Sequence, residues 1–102
     1  MTTRVGLRND GGVVTVAPGD ALEVVLPQNA STGYRWEVAP SRGIAIVDDR
    51  VEPGSASRPG AGAQRVIVVR VREPGEVVAR LRRPWEPPED ATQTFRIRVA
   101  TG

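Results

Sequence analysis

Glycine and proline recur so often along this chain that no long regular element fits between them. Eleven Gly and nine Pro lie among 102 residues, and the runs that separate them are short and rich in β-branched side chains. In the clearest run, Phe95, Ile97 and Val99 share one face, and a period of two indicates a half-buried strand. The predicted strands are Val13–Val16, Ala21–Leu26, Tyr34–Val38, Ile44–Val51, Arg65–Arg72, Glu76–Leu81 and Thr92–Val99.

Short strands separated by frequent turns are typical of a sandwich of two sheets. No stretch long enough for a helix shows an apolar period of about 3.6 residues without Gly or Pro. We therefore predict an all-β, immunoglobulin-like antiparallel β-sandwich of about seven to eight strands. A length of 102 residues fits one domain, which we place over residues 1–102. The absence of cysteine means that no disulfide joins the two sheets.

The composition argues against an enzyme. The chain has no histidine and no cysteine, so it lacks the commonest general base, the commonest metal ligand and any thiol nucleophile. We therefore expect neither catalysis nor a cofactor nor a bound metal.

The charge and hydropathy patterns narrow the range of partners. The chain has fourteen basic residues, all arginine, and twelve acidic residues. The resulting net charge of +2 is too weak to predict a nucleic-acid partner. No apolar run is long enough to span a membrane. No apolar segment follows Met1–Arg4, so the sequence as written predicts a cytoplasmic protein, or a periplasmic or secreted one if a signal peptide was removed. We expect a monomer.

Three predicted loops have unusual compositions. The first runs from Leu26 to Trp36, where Asn29 favours an Asx turn and Gly33 allows a positive φ. The second, Pro59–Ala63, is nearly free of side chains, so its backbone could approach a partner closely. For both loops, a merely structural or flexible turn is the competing interpretation.

The third loop, Arg82–Pro88, places Trp85 among prolines and charges rather than in an alternating strand. Trp and Arg are enriched at binding hot spots, which favours a contact surface. The competing interpretation is a Trp folded back over a sheet edge. The three loops follow the second, fourth and sixth predicted strands. If Val13–Val16 belongs to the first strand of the sandwich, they are the BC, DE and FG loops that gather at one end of an immunoglobulin-like fold.

These three motifs, in this order, resemble the chagasin family of inhibitors of papain-like cysteine peptidases. That family carries Asn-Pro-Thr-Thr-Gly-Tyr/Phe in the BC loop, Gly-x-Gly in the DE loop and Arg-Pro-Trp in the FG loop. The matching residues here are Asn29, Thr32, Gly33, Tyr34, Gly60, Gly62, Arg83, Pro84 and Trp85. The chain departs from the pattern at Ala30, Ser31 and Ala63, where the family has Pro, Thr and often Gly.

The resemblance implies a reversible, tight-binding inhibitor that fills the peptidase cleft with these loops. It implies that Thr32 lies beside the catalytic Cys–His pair, that the DE backbone follows the non-primed side and that Trp85 stacks on the primed side. The implied peptidase-binding residues are Asn29, Ala30, Ser31, Thr32, Gly33, Tyr34, Gly60, Ala61, Gly62, Arg83, Pro84 and Trp85. The main alternative is a non-inhibitory immunoglobulin-like binding module. A weaker one is nucleic-acid binding by arginines on an outer sheet face, among them Arg65, Arg70, Arg72, Arg80, Arg82, Arg96 and Arg98.

Overall fold

The computed structural model describes residues 2–28, 33–52, 63–87, 89 and 91–102. In these ranges eight strands form two four-stranded sheets, ordered β1-β3-β6-β5 in the first and β2-β8-β7-β4 in the second. The strands are β1 Thr3–Gly6, β2 Val13–Val16, β3 Ala21–Gln28, β4 Arg35–Pro40, β5 Ile44–Glu52, β6 Ala63–Val71, β7 Gly75–Arg82 and β8 Gln93–Thr101. A 3-10 turn lies at Leu7–Asn9, and the described ranges contain no helix able to cross a membrane.

The core lies between the two sheets and follows directly from the alternation of each strand. Leu22, Val24 and Leu26 of β3 are fully buried, and Trp36 and Phe95 contribute the largest buried side chains. This confirms the predicted all-β sandwich, and Trp36, in the predicted strand Tyr34–Val38, packs in its core.

The N-terminal segment adds one strand, β1, that the sequence analysis did not predict, and it introduces parallel pairings. The four-residue strand β1 pairs parallel with β3, and β2 pairs parallel with β8, while the remaining pairings are antiparallel. Strand β1 lies at the edge of the first sheet and β2 at the edge of the second. Each runs in the same direction as the strand with which it pairs. A period of two identifies strands but not the direction of their partners.

The strand β3 also continues beyond its predicted end at Leu26, through Pro27 to Gln28. The pairing of β1 with β3 ends at Val25, so no residue of β1 lies opposite Pro27. The lack of a backbone N–H at Pro27 therefore leaves no β1 carbonyl without a donor. The extension carries β3 to the end of the sandwich where the BC loop begins.

Candidate functional site

The BC, DE and FG loops leave the sandwich from the same end. They connect β3 to β4 (29–34), β5 to β6 (53–62) and β7 to β8 (83–92). The strand pairs that close this end are Gln28 with Ala63 and Glu52 with Gln64 in the first sheet, and Arg35 with Arg82 and Leu81 with Gln93 in the second. The described strand ends therefore agree with the predicted clustering of the loops.

Part of the predicted site lies outside the described residues. This applies to Asn29, Ala30, Ser31 and Thr32 of the BC loop and to Gly60, Ala61 and Gly62 of the DE loop. The assignment of these residues to the contact surface stays a prediction. The structure describes Gly33, Tyr34, Arg83, Pro84 and Trp85.

The BC and FG loops contact each other through an arginine held between two aromatic rings. The Arg83 guanidinium carbon lies 4.6 Å from the centroid of the Tyr34 ring and 5.9 Å from that of Trp85. A Cβ added to Gly33 would lie 3.6 Å from Cη2 of Trp85, so the indole packs beside the end of the BC loop. Gly33 has φ +77°, the left-handed conformation that its sequence position predicted.

Trp85 itself is 73% exposed although it is the largest side-chain type in proteins. The Trp therefore is not folded back over the sheet edge, which was the competing interpretation from the sequence. Solvent covers most of the indole, and the residue presents an apolar surface at the end of the molecule where the three loops leave.

Hydrogen bonds hold the turn that carries Trp85. The Glu86 backbone N–H donates to the Arg83 carbonyl (3.0 Å), and the Arg83 N–H donates to Oε1 of Glu86 (3.2 Å). Arg82 donates from Nη1 to the Glu86 carbonyl (2.5 Å) and from Nη2 to the Glu37 carboxylate of the neighbouring strand. The FG turn is thus tied both to itself and to β4, which reduces the conformational freedom that Trp85 loses on binding.

A polar network that the sequence analysis missed closes the base of the BC loop. We call it the base clamp, and it consists of Gln28, Trp36, Asp49 and Arg65. Nη1 of Arg65 donates to Oε1 of Gln28 (3.2 Å), before the loop, and to the carbonyl of Trp36 (3.1 Å), after it. The Trp36 N–H donates to the same Gln28 oxygen (3.4 Å), and its indole Nε1 donates to the carbonyl of Pro27 (2.7 Å).

The remaining donors of Arg65 are occupied by Asp49 on β5. Arg65 Nη2 lies 2.7 Å from Oδ2 of Asp49, and Nε binds Oδ1. The hydrogen bonds from Arg65 hold the pKa of Asp49 below its ordinary value, and the same contact raises the pKa of Arg65. The clamp therefore stays ionised on both sides, and it joins β3, β5 and β6 of the first sheet to β4 of the second.

Arg65 corrects one of the sequence alternatives, because it does not belong to an outer arginine face. The residue continues the inward set of Ile67, Val69 and Val71 on β6, and Gln28 continues the inward set of β3 and is only 7% exposed. The alternation of the two strands could have predicted this network, since an Arg and a Gln at inward positions at the ends of two paired strands require polar partners.

In the described ranges no cluster of acidic side chains has the arrangement of a metal site.

Comparisons of sequence agree with this geometry. The model of a family described as "Chagasin family peptidase inhibitor I42" matches residues 15–99. Chagasin of Trypanosoma cruzi is 28% identical over 105 residues, covering 95% of this chain and 96% of that protein. Amoebiasin-1 of Entamoeba histolytica is 33% identical over 98 residues, covering 89% of this chain and 93% of that protein.

Solved structures share the same fold. The crystal structure of the cysteine protease inhibitor EhICP2 from Entamoeba histolytica superposes with a TM-score of 0.86 at 18% identity, covering 99% of this chain and 96% of that chain. The structure of PbICP-C in complex with falcipain-2 superposes with a TM-score of 0.59 at 18% identity, covering 100% of this chain and 90% of that chain.

Proposed function

Because the chain belongs to the chagasin family of peptidase inhibitors, we propose that it inhibits papain-like cysteine peptidases, reversibly and without being cleaved, by filling the active-site cleft with its three loops. The observation that carries this proposal is the exposed Trp85 beside Arg83 and Tyr34, at the end where all three loops leave the sandwich. PbICP-C, a protein with a similar fold, has been solved in complex with falcipain-2, which supports a peptidase as the partner.

Each loop has its own part in the proposed complex. Thr32 of the BC loop enters the cleft beside the catalytic Cys–His pair and offers a hydroxyl without a correctly placed scissile carbonyl. Gly60–Gly62 lies along the non-primed side, where a backbone without large side chains pairs with the backbone of the enzyme. Trp85 stacks on the primed side, and Arg83 holds it there through the contact with Tyr34.

The energetics of this arrangement are adequate. A standard interface buries about 800 Å² on each partner, and nanomolar binding requires about 12 kcal/mol. A central Trp contributes more than about 2 kcal/mol at many interfaces. The base clamp and the FG hydrogen bonds order the loop ends before binding, so less conformational entropy is lost on association.

We further propose that the chain has no catalytic activity of its own. The family consists of inhibitors, and the sequence has neither His nor Cys to serve as base or nucleophile. Inhibition by steric occupation needs no cofactor, metal or covalent bond.

Protection of the peptidase thiol tests occupation of the cleft. Reduced papain, freed from excess thiol, is treated with iodoacetamide with and without one equivalent of the inhibitor, and the modified cysteine is quantified by mass spectrometry. We expect the catalytic Cys to be protected and the inhibitor to remain intact after prolonged incubation. Alkylation at an unchanged rate in an inhibited enzyme would show that the loops act outside the cleft.

A further inference from the structure

A groove runs between the two edge strands β4 and β5, directly beside the BC loop. It contains two depressions, of about 470 Å³ and about 420 Å³, and Arg35, Asp49 and Arg65 line both of them. Pro84 of the FG loop also lines the second depression. The groove is therefore continuous with the surface that we assign to peptidase binding.

Four arginines line this groove, and three of them are neutralised within the chain. Arg65 binds Asp49, Arg82 binds Glu37, and Arg50 binds Asp48 (2.5 Å) and Glu52 (3.1 Å). For Arg35, no ion pair or hydrogen bond of the side chain is found in the part of the chain that the structure describes. Arg35 is exposed and carries the uncompensated charge of the groove.

The position of Arg35 is also unfavourable for the isolated protein. Arg35 lies directly opposite Arg82 in the ladder between β4 and β7, and like charges in directly opposite positions destabilise a sheet. Glu37, the nearest acidic residue on the same face of β4, is occupied by Arg82. A carboxylate from outside the chain would satisfy Arg35 and relieve this repulsion.

We propose that Arg35 receives a carboxylate side chain of the bound peptidase and thereby selects peptidases that carry an acidic residue beside the cleft. The inference rests on the proposed function and deepens it. A guanidinium binds a carboxylate through two parallel N–H donors, which gives geometric specificity as well as attraction. Arg35 itself is not one of the residues that match the three loop motifs.

The charges around Arg35 favour one carboxylate over a polyanion. The acidic side chains in and beside the groove, Glu37, Asp49, Asp48 and Glu52, neutralise Arg82, Arg65 and Arg50, so a single guanidinium is left where an extended nucleic acid would need a row of cations. A single carboxylate can therefore bind next to the loops, where the rim of the active-site cleft of a docked peptidase would lie.

A charge-reversal pair tests the proposal. Arg35→Glu is compared with the matched control Arg98→Glu, an exposed arginine of the same sheet that lies about 20 Å further from the loops, six residues along the ladder. Inhibition constants and association rates are measured against papain and a cathepsin L-like enzyme in low and high salt. We expect Arg35→Glu to raise the inhibition constant at least about tenfold for one of these enzymes, more in low salt, and Arg98→Glu to change it less than about twofold.

Equal effects of the two reversals on both enzymes would overturn the inference while leaving the inhibitory function intact. A wild-type protein that inhibits neither enzyme would overturn the inference and the proposed function together. Unchanged circular dichroism and melting temperature show that neither variant has lost its fold.

A double-mutant cycle then identifies the partner carboxylate. Acidic residues flanking the peptidase cleft are replaced one at a time by the corresponding amide, and each variant is titrated with wild-type inhibitor and with Arg35→Gln. For one peptidase position, we expect Arg35→Gln to have no further effect once the carboxylate is gone. The same loss from Arg35→Gln in every peptidase variant would contradict a specific carboxylate partner.

Discussion

At the scale of single residues, the proposed site is centred on an aromatic side chain that the fold leaves exposed to water. Trp85 is 73% exposed, while the other tryptophan, Trp36, is 2% exposed and belongs to the core. The sequence separated these two roles, because Trp36 lies in an alternating run and Trp85 lies among prolines. It could not predict that Arg83 lies between Tyr34 and Trp85, since that contact joins two loops far apart in the chain.

Removal of the exposed indole should weaken inhibition without harming the fold. We expect Trp85→Ala to raise the inhibition constant for papain at least about tenfold, as is usual for a central aromatic hot spot. Val13→Ala is the matched control, because Val13 is 65% exposed but lies on β2 opposite Arg98, away from the loops. Equal inhibition constants for the two variants would remove Trp85 from the site.

Replacement of Arg83 tests whether this residue positions Trp85. We expect Arg83→Gln to remove both cation–π contacts, which are worth about 0.5–1 kcal/mol each at exposed sites, and to raise the inhibition constant several-fold. In the Trp85→Ala background the same substitution should have a smaller effect. Full additivity of the two losses would show that Arg83 binds the peptidase independently of Trp85.

At the scale of elements, the strands position the three loops, and the base clamp holds together the two ends of the BC loop. Arg65 bonds to residues on both sides of the BC loop, although it is placed on β6 directly after the DE loop. Sequence alternation predicted most strands, but not β1, whose four residues include one buried side chain, Val5. The clamp was missed because Arg65 was grouped with the outer arginines instead of with its own inward face.

Loss of the clamp should lower both stability and inhibition. We expect Arg65→Met to lower the free energy of unfolding by about 1–3 kcal/mol, because Asp49 loses its partner and the Gln28 side-chain oxygen loses one of its two donors, and to raise the inhibition constant. Arg70→Met on the outer face of the same strand is the control, since among the described residues Arg70 bonds the carbonyl of Gly19, at the opposite end of the strand.

A double-mutant cycle separates positioning from stability in this variant. The losses from Arg65→Met and Thr32→Ala should be less than additive if the clamp acts through the BC loop, whereas those from Arg65→Met and Trp85→Ala should add. Additive losses in both cycles would leave the clamp a purely structural role.

The clamp also predicts how stability depends on pH. The folded-state pKa of Asp49 lies below its ordinary value of 3.8 because of Arg65, so its ionic contribution is complete above about pH 4 and is lost as the pH falls through the folded-state value. Asp49→Asn should therefore be less stable than wild type in urea unfolding at pH 7, and the difference should shrink at pH 2.5. Asp48→Asn, at the exposed ion pair with Arg50, should show a smaller difference at pH 7. A difference for Asp49→Asn that is equal at both pH values would contradict this account.

At the scale of the whole molecule, the sandwich brings three sequence-distant loops to one end, and its long edge strand β5 is poorly suited to self-association. The long edge strand β5 has a bulge between Ile46 and Asp48, and charged side chains follow along it to Glu52, features that discourage edge-to-edge pairing. We therefore expect a monomer that binds one peptidase molecule. The order of the loops and their motifs could be predicted from the sequence. The ion pairs that occupy the carboxylates around Arg35 could not, because they depend on the register between strands.

The central claim is tested most directly by titrating papain, and then a cathepsin L-like enzyme, with the purified protein under reducing conditions. We predict a loss of activity that is stoichiometric at one inhibitor per active enzyme and is recovered on dilution, with the inhibitor uncut. Full activity of both enzymes at micromolar inhibitor would contradict the claim and would mean that this loop-bearing end has another partner.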